Sequence, residues 1–241
     1  MSRTIIEVRN LTKKFGKVVA VSDASFSVQE KECFALLGFN GAGKTTLINL
    51  LTTVLSPTSG TAIIDGNDLV REAQPIKRVI NVSPQETAVA KNLTVRENLT
   101  LIANLYGLKD PKTEAERILT EFDLQEKADV LAKKLSGGQA KRLSIALAVI
   151  TKPKILFLDE PTLGLDIKAR QQLWKTIEVL KQQMTIILTT HYLEEVERLT
   201  DRIAVITRGN IKAVGTLAEL LSATNEQTLE GAFLQLAEEE A

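Results

Sequence analysis

Residues 38–46 read Gly-Phe-Asn-Gly-Ala-Gly-Lys-Thr-Thr. A glycine, four residues and then Gly-Lys-Thr is the pattern of a loop whose successive backbone N–H groups wrap the phosphates of a nucleotide. In such a loop Lys44 reaches the β- and γ-phosphates and the Thr45 hydroxyl ligates Mg²⁺. The flanks agree: CFALL at 33–37 is apolar throughout, as a strand buried on both faces must be, and KTTLINLLTTV after it has helical character. Hydrolysis needs two more groups, a carboxylate to hold the metal and one to orient or deprotonate water. ILFLDEP at 155–161 offers both at the end of an apolar run, Asp159 for the metal and Glu160 for the water. His191, the one histidine, follows TIILTT at 185–190. A lone histidine is commonly structural, yet a strand end beside a phosphate site is also where a γ-phosphate sensor would stand.

A second anion cradle stands at 135–139, LSGGQ, opening the helical run AKRLSIALAVI. A hydroxyl, two glycines and an amide at a helix start leave bare N–H groups and the positive dipole end facing outward. One cradle suffices for one nucleotide, so the second raises the question of whose phosphates it serves.

The elements that must position these groups follow from periodicity. TIIEV (4–8), ASFSV (24–28) and TAIID (61–65) alternate like strands with one wet face, which predicts a flanking antiparallel sheet. CFALL, ILFLD (155–159) and TIILTT have the buried-strand pattern, and ARQQLWKTIEVLKQ between the last two is helical, which predicts a parallel sheet with right-handed crossovers. From about 92 to 150 the pattern is helical with no convincing strand, so a helical lobe inserted into an α/β core is expected. The acidic end AEEEA reads as a solvated terminus.

Composition narrows the class. The 241 residues carry 30 basic and 30 acidic side chains, so no global field draws the chain to nucleic acid or to an anionic membrane, and no nucleic-acid partner is expected. The first sixteen residues are too polar for a secretory signal. The longest apolar runs, IALAVI and ILFL, fall far short of the roughly 20 residues that cross a bilayer. Any membrane-spanning part is expected on another chain. Cys33, the single cysteine, has no internal disulfide partner and reads as a small buried hydrophobe more readily than as a reactive thiol.

The motifs occur in a familiar order: phosphate loop at 38–46, Gln85 in VSPQE, LSGGQ at 135–139, ILFLDEP, TLGLD at 162–166 and His191. Over nearly all of residues 1–215 the chain resembles the nucleotide-binding subunit of an ATP-binding cassette (ABC) transporter. The resemblance implies an α/β P-loop NTPase core (about 1–90 and 151–215) with an antiparallel β subdomain, an inserted α-helical subdomain (about 91–150) and a short helical tail (216–241). It implies that ATP lies against Phe15, Gly38, Asn40, Gly41, Ala42, Gly43, Lys44, Thr45 and Thr46, with Phe15 of KKFGKVVAV as the ring that stacks on adenine. It assigns Mg²⁺ to Thr45, Gln85 and Asp159, and catalysis to Glu160, His191, Gln85 and Lys44.

The second cradle is also accounted for by this resemblance. Two subunits close head to tail, and Ser136, Gly137, Gly138 and Gln139 complete the site around ATP held by the partner. Implied partners are a separately encoded transmembrane permease and a second nucleotide-binding subunit, identical or related. The implied location is peripheral, on the cytoplasmic face of the membrane. The segment 86–106 is the candidate permease-docking surface, although its apolar positions could equally be core. The ending THYLEEVERLTDRIAVITRGNIKAVGT, with LEGAFLQLA in the tail, is similar to stand-alone export ATPases; 217–241 leaves no room for the regulatory domain common in importers, and import systems without that domain stay an open alternative. The alternative is a cytosolic cassette that powers a soluble assembly such as iron–sulphur cluster building. DNA-repair relatives carry coiled-coil or zinc-binding insertions, and translation-factor relatives carry two cassettes; this chain has neither feature. Two departures from the family pattern stand out: Phe39 in place of a common proline in the phosphate loop, and Ala140 in place of a polar residue after the signature. Neither removes a catalytic atom.

Overall fold

The computed structural model describes residues 3–238, so the last three residues of the acidic end lie outside it. Two sheets carry the strands. The first is antiparallel, in the order β2-β1-β4-β5, from β1 (Thr4–Phe15), β2 (Val18–Gln29), β4 (Ser59–Ile64) and β5 (Asn67–Asp68). The expected segments 4–8 and 24–28 are the open end of a longer hairpin, which turns at Gly16 and pairs Phe15 with Val18.

The second sheet runs β10-β9-β3-β8-β7-β6. Here β3 (Cys33–Leu37), β8 (Thr185–Thr190), β7 (Ile155–Asp159), β6 (Ile80–Ser83) and β9 (Arg202–Thr207) are mutually parallel, and β10 (Asn210–Gly215) closes one edge antiparallel to β9. Every residue of β3, β7 and β8 is buried, including the polar Asp159 that ends β7 and Thr185, Thr189 and Thr190 of β8. Strand β3 shows how the two sides of the sheet divide. Cys33, Ala35 and Leu37 enter one core, while Phe34 and Leu36 enter another beneath the antiparallel sheet. Between the two sheets runs α1 (Lys44–Leu51), whose Leu47, Ile48, Leu50 and Leu51 belong to that second core.

Helices α3 (Val95–Leu105), α4 (Pro111–Glu121) and α5 (Gly137–Val149) fill the middle of the chain and join the first core through Leu99, Ile118 and Leu143. Their starts are chemically marked. Thr94 and Glu97 form a capping box on α3, Asp110 caps α4 ahead of Pro111, and Ser136 with Gln139 forms a capping box on α5. The one ladder contact here among the described residues is an isolated bridge, Thr94 to Leu131. Helices α6 (Ile167–Leu180) and α7 (Leu193–Leu199) cover the same face of the sheet, and α8 (Leu217–Thr224) and α9 (Leu229–Glu238) follow β10. The remaining helix, α2 (Ala73–Val79), leads into β6.

Candidate active site

The phosphate loop leaves β3 at Gly38 and enters α1 at Lys44. Two of its glycines are sterically required. A Cβ on Gly38 would meet the Ile206 carbonyl oxygen at 2.4 Å, and Gly43, at φ 103°, would meet that of Ala20 at the same 2.4 Å. The loop is braced by the turn between β9 and β10, where the Gly209 N–H donates to the Ala42 carbonyl at 2.9 Å. A cleft of about 580 Å³ opens over it, lined by Asn40 through Thr46, Gln85 and Glu160, with Val18, Val19, Ala20, Arg208 and Gly209 on its rim.

Lys44 is 5% exposed, and three acceptors surround its ammonium. These are the Gly38 carbonyl at 2.7 Å, the Phe39 carbonyl at 3.1 Å and Glu160 Oε1 at 3.0 Å. The other Glu160 oxygen, Oε2, lies 2.9 Å from His191 Nδ1. Glu160 sits at φ 46°, a left-handed backbone that a glutamate adopts at a cost. Its N–H is held by Thr189, by the hydroxyl at 3.0 Å and the carbonyl at 3.2 Å. Thr189 also donates its hydroxyl hydrogen to Asp159 Oδ1 at 2.5 Å, and Thr45 Oγ1 approaches the same oxygen at 3.3 Å. Asp159, Glu160, Thr45, Lys44 and His191 thus meet at the ends of β3, β7 and β8, as the sequence suggests. The lone histidine is engaged with the candidate base.

Gln85 is brought in by β6, the short edge strand beside β7. Its backbone is fixed from the helical side: Lys141 on α5, 4% exposed, donates Nζ to the Pro84 carbonyl at 2.9 Å and the Gln85 carbonyl at 3.1 Å. Burial pulls the Lys141 pKa down to about 8, opposed by the charges of Asp159, Glu195 and Glu160. Behind the site Glu195 is fully buried and takes a hydrogen bond from Trp174 Nε1 at 3.3 Å. Burial pushes its carboxyl pKa up.

Gly38, Asp159 and His191 touch the lining residues Lys44, Thr45 and Glu160 without lining the cleft themselves, and two further expected groups lie apart from it. Phe15 is half exposed at the end of β1 beneath the Lys13 ammonium, 5.1 Å from the ring centre, and does not line the cleft, although its ladder partner Val18 does. None of Ser136, Gly137, Gly138 and Gln139 lines it either. Ser136 Oγ accepts from the Gln139 N–H at 3.3 Å, and Gln139 Oε1 accepts from the Ser136 N–H at 3.1 Å. The serine hydroxyl hydrogen stays available as a donor. Gly138 packs so closely on α6 that a Cβ would stand 2.7 Å from that of Ala169, whereas a Cβ on Gly137 would meet nothing within 4 Å.

Sequence reasoning missed Thr189, Lys141, Arg208 and Gly209. Threonines at the end of a strand buried on both faces, as in TIILTT, must find partners, and that is the one signal that could have flagged the first.

The donors of Thr45, Asp159 and Gln85 are hydroxyl, carboxylate and amide oxygens, hard ligands suited to Mg²⁺ that also binds substrate phosphates. Comparison with known proteins agrees with this geometry. Residues 21–163 match the family model described as "ABC transporter". The linearmycin resistance ATP-binding protein LnrL of Bacillus subtilis is 37% identical over 93% of this chain and 73% of its own length. ABC transporter A family member 6 of Dictyostelium discoideum is 43% identical over 90% of this chain, which spans only 14% of that relative. Among solved structures, an ATP-binding subunit of an ABC transporter superposes with a TM-score of 0.86 at 30% identity, covering 97% of this chain and 99% of that one. A dimeric ATP-binding cassette in a post-hydrolysis state with ADP and Pi superposes at 0.79 and 26% identity, covering 88% and 98%. With the cleft, the motif order and the matched length in agreement, the chain belongs to the ABC transporter family and is an ATP-binding cassette ATPase domain.

Proposed function

We propose that this chain binds ATP with Mg²⁺ in the 580 Å³ cleft and hydrolyses it at an interface shared with a second cassette, powering export through a permease carried on another chain. The observation that carries this is the contact of two cleft-lining residues, Lys44 with Glu160, continued by Glu160 to His191, with the signature residues outside the same cleft.

Incoming phosphate oxygens would replace the Glu160 carboxylate on the Lys44 ammonium, because the two loop carbonyls are fixed by the backbone. Glu160 is then free to accept a proton from water, with His191 holding its second oxygen. Thr45, Asp159 and the Gln85 side chain are the residues that would hold Mg²⁺, which supplies neutralisation of phosphate charge. Phe15 would reach adenine only if the hairpin end turns toward the cleft. Ser136 and the Gly137 and Gly138 N–H groups would contact the partner's ATP. The core, helical lobe and tail are assigned to about 1–90 with 151–215, 91–150 and 216–241.

Export is supported by LnrL and by the daunorubicin resistance ATP-binding protein DrrA3 of Streptomyces coeruleorubidus, 38% identical over 93% of this chain. Both relatives are named for drug resistance, which lends nothing to the soluble-assembly alternative. No described helix is long and apolar enough to cross a membrane, which is compatible with a peripheral place on the cytoplasmic face beside a separate permease. The test is co-purification of the tagged chain from its native membranes in mild detergent. A stoichiometric integral membrane protein is expected, and recovery of a soluble partner with none from the membrane would overturn the transport assignment.

A further inference from the structure

Phe39, the second residue of the phosphate loop, packs its ring on that of Phe233 in α9, with centroids 4.8 Å apart and planes at 54°. Such tilted pairs are favoured by ring quadrupoles. The two partners have unequal footing. Phe39 is 51% exposed, whereas Phe233 is 5% exposed and lies in the core with Leu229, Leu236, Leu199 and Val205. The helix is therefore anchored in the core, and the loop leans on the helix. Behind the loop a cleft of about 270 Å³ is walled by Phe39, Gly41 and Ala42, by Thr207, and by Ala237 of α9, so the contact continues along the helix. Phe39 matters to the chemistry through its backbone, because its carbonyl accepts from both Lys44 Nζ and the Ala42 N–H, at 3.1 and 3.2 Å.

A phosphate loop binds well when its N–H groups are held in place before the ligand arrives, since ordering them afterwards weakens binding. Proline at the second position would restrict φ covalently, and phenylalanine cannot. We infer that the C-terminal helix α9 is a positioning element of the nucleotide site, with Phe233 restraining the phosphate loop through Phe39. This rests on the cleft being the ATP site. Displacing α9 would loosen ATP binding without removing any atom that touches the nucleotide.

The test is equilibrium binding of a fluorescent ATP analogue, with Mg²⁺, to the monomeric full chain, alongside steady-state turnover. Phe233→Ala should weaken binding about three- to tenfold, the range an aromatic pair supplies, and raise KM with kcat at saturation unchanged. Leu234→Ala, on the exposed side of the same helix, should change neither. In a Phe39→Pro background Phe233→Ala should have little effect on affinity, because the loop no longer depends on the ring. If Phe233→Ala does not fold, Phe233→Leu keeps the apolar burial and loses the ring, and the same loss of affinity is expected. Unchanged affinity in a folded variant, or an equal loss with and without Phe39→Pro, would overturn the inference. If the unaltered chain binds no ATP, the site assignment fails instead.

Discussion

The two anion cradles of this chain differ in how far they are finished. At the phosphate loop the polar groups are already engaged with one another: Lys44 has three acceptors, Asp159 is held by Thr189, and Glu160 touches both Lys44 and His191. At the signature, Ser136 and Gly137 are exposed and the hydrogen bonds run only within the helix cap. A site that closes on its own residues can position a substrate alone. One that caps itself and leaves donors facing out needs something brought to it, and the proposed second cassette would bring the phosphates.

The comparison breaks most sharply at Glu160. Glu160→Gln should lower kcat by about 10²–10⁴, the scale of a lost general base, while ATP still binds and holds a dimer together. Turnover assays with size-exclusion chromatography check this, and near-normal turnover would remove Glu160 from its role. Ser136→Arg acts on the other cradle. It should abolish hydrolysis and leave ATP affinity of the monomer unchanged; a parallel loss of monomer affinity would mean that the signature serves its own cleft. Lys141 joins the two regions, and Lys141→Met would take from the Pro84 and Gln85 carbonyls the buried ammonium that fixes them. A drop in kcat of about tenfold with little change in monomer ATP affinity is expected, and a change confined to affinity would argue against that link.

The smallest effect concerns stability. The carboxyl of Glu195 has a raised pKa through burial, so the folded chain keeps a proton that the unfolded chain releases above the ordinary carboxylate value. Stability therefore falls as pH rises through that window, and Glu195→Gln removes the dependence. The variant should gain about 2 °C in Tm over the natural chain at pH 8 and less at pH 5, measured by thermal melts at both. An equal shift at both pH values would assign the difference to packing instead.

What was legible in the sequence was local. The phosphate loop and ILFLDEP carry spacing and context within ten residues, so the strand ends, the carboxylate proposed to hold the metal and the candidate base could all be assigned to positions. The parallel sheet followed from runs buried on both faces. By contrast β6 is four residues long with its two middle positions half-buried, too weak a pattern to flag, yet it is what brings Gln85 to the cleft. Lys141 and Thr189 escaped for a related reason. Their partners lie 56 and 30 residues away in the chain, and no local spacing encodes such a contact. Phe15 shows the opposite limit: the motif places it in order, while the hairpin end holds it outside the cleft lining.

Cys33 lies wholly inside the central sheet, with its thiol pKa pushed far above the usual range by burial. Thiol reagents act on an exposed thiolate, so the natural chain behaves as a blank toward them. Cysteines introduced at Ser136 and at Asn40 could then be joined by a short crosslinker with no background. A covalent dimer that forms on a gel only when ATP is present would make head-to-tail closure visible as a band.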